Sequence, residues 1–213
     1  LAAPLRIKPE MSSLNMGSMN FSVAQLARKF TEWKFDWEKD YVANSDGNIF
    51  RNTFRDIKEA AETLAPHDIK FEHECYDVGH LYMLRHFADR GLVAPPFFIQ
   101  FVFGVLGGMG PDPENLTHMK TIADKLFGQD YMFSVLAAGR HQIPLTSMAA
   151  AMGGHVRVGL EDSLMIARGQ LARTNAEQVA KIRRIVEDMG REVASPEDVR
   201  QMLGLKGADR TAI

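Results

Sequence analysis

The chain has 213 residues, of which 46% are hydrophobic, and its 25 basic and 27 acidic side chains leave a formal net charge of −2. This length and apolar content suffice to bury the core of one domain, so we predict a single globular domain over 1–213. The charges are scattered singly, which excludes nucleic acid as a partner, and the longest apolar stretch, 97–106, is far shorter than the ~20 residues of a membrane-spanning helix.

Cysteine usage and the N-terminal residues indicate the cellular compartment. The one cysteine, Cys75, excludes an internal disulfide and is typical of a reducing compartment. No stretch at the start of the chain has the pattern of a secretory signal peptide. We therefore expect a cytoplasmic protein without a membrane partner. Because the first residue is Leu1 rather than Met and a strand-like segment follows almost directly, we also expect the natural chain to begin upstream.

Extended and helical patterns alternate along the chain, as in βαβ units around a parallel sheet. The predicted strands are residues 5–14, 69–76, 97–105, 131–138 and 155–160. Apolar residues recur at helical spacing between them, as in Ile57, Ala60, Ala61 and Leu64, or in Val179, Ile182, Ile185 and Val186. Helix starts are indicated by Thr53, Pro113 and Ser195.

Five βα units in 213 residues predict the C-terminal portion of a TIM (β/α)8 barrel. A complete barrel usually takes about 250 residues, so two or three N-terminal units are absent from this chain. An open five-stranded sheet is the alternative. Polar residues recur at the end of one strand after another, which favours the barrel, because barrel enzymes place their active sites at the C-terminal ends of their strands.

Charged residues share one face of two predicted strands. Since side chains alternate along a strand, Arg157 and Glu161 are expected to point together into the barrel. The same alternation places Glu72, Glu74 and Tyr76 on one face. Burying such groups costs several kcal/mol unless they are paired or bound to a metal. They therefore indicate either an internal network of salt bridges or an active site.

In the active-site interpretation, Glu161 and Asp162 divide into a metal ligand and a base for proton transfer. Arg157 then holds an anionic substrate or tunes that base. Ser13 and Asn15 follow the first strand and offer a hydroxyl and an amide for hydrogen bonds. Because such residues are common where a strand meets a loop, the sequence alone favours an ordinary turn over a functional role for them.

Three further features allow two interpretations each. The glycines of 106–114 are interpreted as a tight turn, and backbone N–H groups for the diphosphate of CoA are the less favoured alternative. The aromatic segment 28–50 is either an arm or lid over the barrel mouth or a neighbouring subunit, or part of the core. The seven histidines form no HxH or HExxH pair, so His80 and His86 are interpreted as surface or packing residues rather than ligands.

Six motifs resemble, in order, the successive motifs of the β-keto acid cleavage enzymes. They are PEMSSLNMGSMNF (9–21), FEHECYD (71–77), QFVFGVLGGM (100–109), VRVGLED (156–162), SPED (195–198) and LGLKG (203–207). The resemblance implies a zinc-dependent (β/α)8 barrel that assembles as a homotetramer. It also implies a reaction in which a β-keto acid and acetyl-CoA yield acetoacetate and a new acyl-CoA through a zinc-stabilised enolate.

The resemblance further implies roles for individual residues. Glu161 would be a zinc ligand, Asp162 the base that removes the C2 proton, Arg157 and Glu74 the groups that orient and tune Asp162, and Ser13 and Asn15 the substrate contacts. The family's His-x-His zinc ligands and a second Gly-rich strand end are not found in this sequence. Either the chain omits the first ~90–100 residues of the barrel or it is a degenerate relative. The presence of only five units favours omission, because a parallel sheet that lacks its neighbouring strands exposes its edges.

Segment 28–50 also looks longer than in the type member of the family, which would reshape the barrel mouth and the range of substrates. Two other functions remain open on the sequence. A metal-dependent aldolase or decarboxylase could use Glu161 and Asp162 in the same way but would not need CoA. A non-catalytic barrel that serves as a binding or assembly subunit would have no reason to keep the charges of Arg157, Glu161 and Asp162.

Overall fold

A computed structural model describes residues 1–212 of the chain. These residues form nine strands, which are β1 (Met11–Asn15), β2 (Met19–Asn20), β3 (Ile49–Phe50), β4 (Lys70–Cys75), β5 (Phe97–Phe103), β6 (Tyr131–Ala137), β7 (His155–Val156), β8 (Met165–Ala167) and β9 (Gln170–Leu171). They also form eight α-helices, which are α1 (Ala2–Ile7), α2 (Asp36–Ala43), α3 (Phe54–Leu64), α4 (Val78–Ala88), α5 (Pro113–Phe127), α6 (Gln142–Ala151), α7 (Asn175–Asp188) and α8 (Pro196–Leu203). Short 3-10 helices lie at Ala24–Arg28, Ser45–Gly47, Ala65–His67, Gly139–His141 and Ala208–Arg210. None of the helices in 1–212 is long and apolar enough to cross a membrane.

Five of the strands form one parallel sheet in the order β1, β4, β5, β6, β7. Each lies beside the next strand of the sheet along the chain, with α3, α4, α5 and α6 in the successive connections. An open doubly wound sheet reverses its strand order at a switch point, whereas a barrel adds its strands in one direction. Over residues 1–212 the order does not reverse. The predicted α/β fold of the TIM-barrel type is thus confirmed over five consecutive βα units.

The core lies between this sheet and its helices, because each strand places alternate side chains on that face. On β5, Ile99, Phe101 and Phe103 are completely buried. The ring of Phe133 on β6 stacks on Phe101, with centroids 5.4 Å apart. The predicted helical face of α3 is also buried, and it consists of Ile57, Ala60, Ala61 and Leu64. Each large apolar side chain buried here stabilises the fold by about 1.5–3 kcal/mol.

The predicted helix starts are confirmed. The Thr53 hydroxyl accepts from the backbone N–H of Asp56 (3.3 Å), whose carboxylate accepts from the backbone N–H of Thr53 (2.8 Å). Ser195 and Asp198 form the same reciprocal cap on α8, and Pro113 occupies the first turn of α5. Such caps satisfy N–H groups that the helix itself leaves unpaired, which is why their sequence pattern marks a helix start reliably.

One predicted helical face is wrong at a single position. Ile182 and Val186 of α7 are buried, but Val179 is 50% exposed. The inward position is taken by Gln178, whose Nε2 donates to the backbone oxygen of Ser163 at 2.6 Å. A glutamine can be buried when its amide is hydrogen bonded, and the spacing of apolar residues does not reveal such a case.

Two predicted strands are wrong in extent. Residues 5–7 belong to α1, and Lys8 ends this helix in the left-handed conformation (φ 47°), so β1 begins only at Met11. In the last strand of the sheet only His155 and Val156 are extended. After the backbone N–H of Arg157 donates to the oxygen of Val135 (3.0 Å), the chain turns. Residues 157–160 therefore lie outside the strand, contrary to the prediction, and Glu161 lies in the turn that follows.

Residues 21–48 form an excursion between β2 and β3, which pair antiparallel at its base. Within it, α2 packs against the 3-10 helix Ala24–Arg28. Its aromatic side chains lie largely at the surface, with exposures of 46–63% for Phe30, Phe35, Trp37 and Tyr41. Among the described residues, these four side chains are not part of the core.

Candidate active site

Two neighbouring strands present polar side chains at their C-terminal ends. The register places Ser13 of β1 opposite Glu72 of β4, and Asn15 opposite Glu74. The hydroxyl of Ser13 donates to Oε2 of Glu72 at 2.6 Å. Because parallel strands end at the same edge of a sheet, their polar groups collect at one end of the barrel, where barrel enzymes hold their active sites.

Arg157 joins three carboxylates at this end of the barrel. Its Nη1 lies 2.9 Å from Oε1 of Glu74, its Nη2 lies 2.9 Å from Oε2 of Glu161, and its Nε lies 3.3 Å from Oδ2 of Asp162. The side chains of Glu74 and Asp162 are only 9% exposed, whereas that of Glu161 is 82% exposed. Arg157 therefore balances two buried carboxylates and one carboxylate that remains in solvent.

Burial governs the protonation of the two buried carboxylates. It raises the pKa of Glu74 above its ordinary value, although hydrogen bonds from Tyr76 and Arg157 oppose this. Burial likewise raises the pKa of Asp162, and the positive charge of Arg157 opposes the rise. One guanidinium cannot fully compensate three carboxylates, so both buried groups are stronger bases than exposed ones.

Tyr76 connects this charged cluster to the excursion. Its hydroxyl donates to Oε2 of Glu74 at 2.8 Å, and its ring meets the ring of Phe50 edge-on with centroids 6.0 Å apart. Burial and the neighbouring Glu74 raise the pKa of the Tyr76 phenol, so it stays protonated and continues to donate. The carboxylate of Glu74 is therefore held from both sides, by Tyr76 on one oxygen and by Arg157 on the other.

A cavity of about 1380 Å³ opens above these groups. Its polar floor includes all six residues implied by the family resemblance, which are Ser13, Asn15, Glu74, Arg157, Glu161 and Asp162. Its walls are mainly apolar and include Phe21, Leu26, Phe30, Phe50, Leu106 and Leu164. The structure thus brings the predicted site residues together, while their individual roles remain predictions.

Sequence reasoning did not name every residue that lines the cavity. Tyr76 was placed on the face of Glu74 by strand alternation, and this signal could have added it to the site. Phe21 and Leu164 also line the cavity, but they come from two loops far apart in sequence, after β2 and after β7. No local pattern marks them, because only the folded barrel brings these loops together.

The Gly-rich segment after β5 packs closely against its neighbours. A Cβ at Gly107 would lie 1.8 Å from the backbone oxygen of Asn20, and the residue has a φ of +108°. A Cβ at Gly108 would lie 2.8 Å from the backbone oxygen of Tyr76. Because a side chain at either position would clash with these backbone oxygens, both positions require glycine. This supports the tight-turn interpretation of the segment.

The histidines predicted to be packing residues are confirmed in that role. His80 is buried, and its Nδ1 accepts from the backbone N–H of Tyr76 at 3.2 Å. The ring of His86 meets that of Phe54 edge-on at 5.2 Å. Within the described part of the chain, no group of three or more His, Cys, Asp or Glu side chains could hold a metal ion. Glu161 is available as one carboxylate, but these residues do not by themselves form a zinc site.

The sequence was compared with known families and proteins. A model of the beta-keto acid cleavage enzyme family matches residues 1–205. The chain is 52% identical over 204 residues to "3,5-dioxohexanoate:acetyl-CoA acetone transferase" of Paraburkholderia graminis, a match that covers 96% of this chain and 66% of that protein. It is 32% identical over 202 residues to "3-keto-5-aminohexanoate cleavage enzyme" of Acetoanaerobium sticklandii, over 95% of this chain and 64% of that protein.

A third relative and one solved structure extend the comparison. The chain is 33% identical over 197 residues to "3-dehydrocarnitine:acetyl-CoA trimethylamine transferase" of Rhizobium meliloti, covering 92% of this chain and 57% of that protein. It thus spans roughly two thirds or less of the length of these three relatives. Its fold is similar to the apo structure of ObcA, with a TM-score of 0.67 at 18% identity over 92% of this chain and 44% of that chain. Because the family match extends over nearly all of the sequence, the chain belongs to the β-keto acid cleavage enzyme family.

Proposed function

We propose that the full-length protein exchanges acyl groups between a β-keto acid and acetyl-CoA, giving acetoacetate and a new acyl-CoA. The observation that supports this most directly is the contact of Arg157 with both Glu74 and Asp162 on the floor of the cavity. An aspartate of raised pKa beside a fixed cation is suited to remove a proton from carbon. The names of the relatives support acetyl-CoA as the co-substrate.

In this reaction Asp162 removes a proton from C2 of the β-keto acid. The C2 carbanion equivalent then attacks the carbonyl carbon of acetyl-CoA, which forms a carbon–carbon bond and releases the CoA thiolate. The thiolate attacks the former keto carbon, and the bond between this carbon and C2 breaks. The products are the new acyl-CoA and acetoacetate, which recovers a proton from protonated Asp162, so the base is regenerated.

The other floor residues have supporting roles in the proposal. Arg157 keeps Asp162 in place and limits the rise of its pKa, and Glu74 holds Arg157 from the opposite side. Ser13 and Asn15, which line the floor, contact the substrate through their hydroxyl and amide groups. Without Arg157, the buried carboxylates would repel each other and an anionic substrate.

We also propose Glu161 as one zinc ligand, because its carboxylate lines the cavity and is largely exposed. A complete zinc site would need ligands in addition to those of residues 1–212. Measurement of bound zinc in the full-length protein, with and without Glu161→Gln, tests this assignment independently of turnover.

The cavity walls do not favour a substrate whose end distant from the carboxylate is a cation. Outside the cluster around Arg157, the only charged side chain among the described lining residues is Lys29, so no carboxylate is available there for an amine. The most similar of the three relatives described above has a dioxohexanoate in its name. We therefore propose 3,5-dioxohexanoate, whose far end is a neutral ketone, as the first substrate to assay.

Segment 28–50 is proposed as an arm or lid over the mouth of the cavity, with 1–213 as one barrel domain and a homotetramer as the assembly. Phe30 and Phe50 of this segment line the cavity. Its exposed rings, including Trp37, are available for contacts with a neighbouring subunit. Light scattering of the full-length protein, beside Trp37→Ser, would measure the mass of the assembly and whether this ring contributes to it.

The experiment is an assay of the full-length protein with a panel of β-keto acids, with and without acetyl-CoA. Acetoacetate formation that requires acetyl-CoA supports the proposal. Cleavage without acetyl-CoA would instead indicate a metal-dependent aldolase or decarboxylase. No turnover of any member of the panel would favour a non-catalytic barrel.

A further inference from the structure

A second cavity of about 490 Å³ lies between the β8–β9 hairpin and α7. Ile166 and Leu171 of the hairpin line one side, and Arg173, Lys181 and Arg184 line the other together with Glu177. The cavity shares Leu171 with the candidate active site but none of the charged residues of that site. Its lining has three cations and one anion.

The hairpin is the wall between the two cavities. Met165 and Leu171 line the cavity above Asp162, whereas Ile166 and Leu171 line the second cavity. Alternate side chains of β8 thus face opposite sides, as expected for a strand. A flexible molecule bound over Asp162 could cross this two-stranded wall and reach the second cavity.

The cations of the second cavity are not paired with any carboxylate of residues 1–212. Within residues 1–212, none of Arg173, Lys181 and Arg184 has a carboxylate within 4.0 Å, although Arg183 on the same helix lies 2.7 Å from Glu187. The carboxylate of Glu177 accepts from the backbone N–H of Arg173 at 2.8 Å, and it is one negative charge among three cations of the lining. The ammonium of Lys181 donates to the backbone oxygen of Ile166, which fixes it at the hairpin. The cavity is therefore a cationic recess suited to an anion.

The active-site cavity has the opposite charge. Glu74, Glu161 and Asp162 outnumber Arg157 and Lys29 among its charged lining residues. In an acyl-CoA, the long pantetheine arm separates the thioester from the phosphates of the nucleotide. When the thioester reaches Asp162, these phosphates must lie outside that cavity, and carboxylates would repel them inside it.

We propose that the second cavity binds the phosphorylated nucleotide end of acetyl-CoA, with Arg173, Lys181 and Arg184 contacting its phosphates. The pantetheine arm crosses the β8–β9 hairpin between the two cavities. This inference rests on the proposed function for its ligand, and it assigns the CoA-binding residues that the sequence does not reveal.

The test replaces two exposed cations of the cavity in the full-length protein. Arg173→Gln/Arg184→Gln is compared with Arg183→Gln, which removes an arginine from the same helix but outside the cavity. The thioesters are acetyl-CoA and acetyl-pantetheine, which lacks the nucleotide. We expect the double variant to raise the KM for acetyl-CoA about tenfold without changing kcat, and to leave kcat/KM for acetyl-pantetheine unchanged. The control should behave as the wild type with both thioesters.

Two outcomes would overturn the proposal. One is an unchanged KM for acetyl-CoA in the double variant. The other is an equal loss with both thioesters, since that would indicate a distorted hairpin rather than lost phosphate contacts. If the wild type turns over neither thioester, the proposed function is wrong. Calorimetric titration with CoA then tests, independently of turnover, whether the second cavity binds CoA. CoA binding that weakens in the double variant but not in Arg183→Gln supports the proposed CoA site. Equal binding by the wild type and both variants, or no binding, overturns it.

Discussion

The phenolic oxygen of Tyr76 lies 2.8 Å from Oε2 of Glu74, and Nη1 of Arg157 lies 2.9 Å from the other oxygen of the same carboxylate. Arg157 in turn contacts Asp162. The hydroxyl of Tyr76, which directly follows β4, is thereby linked through Glu74 and Arg157 to the proposed base. The geometry of Asp162 therefore depends on residues that do not themselves touch it.

Replacing the proposed base should abolish most of the activity. Asp162→Asn keeps the size of the side chain but cannot accept the C2 proton, so we expect kcat to fall by about 10²–10⁴-fold. The measurement is acetoacetate formation from acetyl-CoA at saturating substrate. Asp124→Asn is the matched control, because Asp124 is a hydrogen-bonded carboxylate on α5 that does not line the cavity. Wild-type activity in Asp162→Asn would contradict the assignment of the base.

Tyr76 is predicted to act as a positioning residue. Tyr76→Phe keeps the ring against Phe50 but removes the donor that lowers the pKa of Glu74. We expect kcat to fall about five- to tenfold with little change in KM, as for one lost hydrogen bond to a charged group. Glu74 becomes easier to protonate, so the acidic limb of the kcat profile should move to higher pH.

The chain provides a matched control for this variant. The hydroxyl of Tyr131 also donates to a carboxylate at 2.8 Å, that of Asp124, but outside the cavity. Tyr131→Phe should therefore leave both kcat and the pH profile unchanged. Equal shifts of the profile in the two variants would indicate a general structural effect and refute the positioning role of Tyr76.

Removing Arg157 should destabilise the fold in a pH-dependent way. In Arg157→Gln, the buried carboxylates of Glu74 and Asp162 lose their cation, which costs about 2–4 kcal/mol at pH 7. Both groups already have raised pKa values, and the loss of Arg157 raises them further. Protonation of these carboxyls as the pH falls then relieves the penalty, so the difference from the wild type should be smaller at pH 5 than at pH 7. Urea unfolding at both pH values measures this difference.

Arg200→Gln serves as the comparison for that pH dependence. Arg200 pairs with Glu10 at 2.9 Å, and its hydrogen bond lowers the pKa of this carboxyl below its ordinary value. Glu10 stays ionised in the wild type from pH 7 to pH 5, and its contribution is lost only as the pH falls through its lowered pKa. The effect of Arg200→Gln should thus be nearly constant over this range. A constant effect of Arg157→Gln would contradict our account of the buried carboxylates.

The close approach at Gly107 should make this position intolerant of any side chain. Gly107→Ala would place a methyl group 1.8 Å from the backbone oxygen of Asn20, so either the loop or the base of the excursion must move. Gly169→Ala is the control, because Gly169 also has a positive φ (+74°) but no atom within 4 Å of the added Cβ. We expect Gly169→Ala to cost about 1–2 kcal/mol and Gly107→Ala clearly more. Equal midpoints in thermal unfolding would contradict the proposed contact.

The sequence predicted those features that depend on neighbours along the chain. Strand alternation placed Glu72, Glu74 and Tyr76 on one face, because side chains of a strand alternate whatever the strand packs against. Helix caps at Thr53 and Ser195 were predictable for the same reason, since a cap is a contact over three residues. The alternation of strand and helix patterns likewise indicated βαβ units around a parallel sheet.

Predictions from the sequence were wrong where a local pattern is compatible with two different structures. Residues 5–7 fit a strand as well as a helix, since a short apolar run does not distinguish the two. Gln178 is buried in place of Val179, because the amide of Gln178 donates to the backbone oxygen of Ser163 in the loop after β7. For Gln178, a contact with a residue 15 positions away along the chain selected the outcome.

By itself, then, the sequence determined the order of βα units, the identity of the charged residues and the family to which they point. Only the tertiary structure decided which charges meet. Arg157 and Glu74 are 83 residues apart, and no periodicity relates two side chains over such a distance. Their contact arises because the parallel strands end at one edge of the barrel, where burial makes each uncompensated charge costly and so favours their pairing.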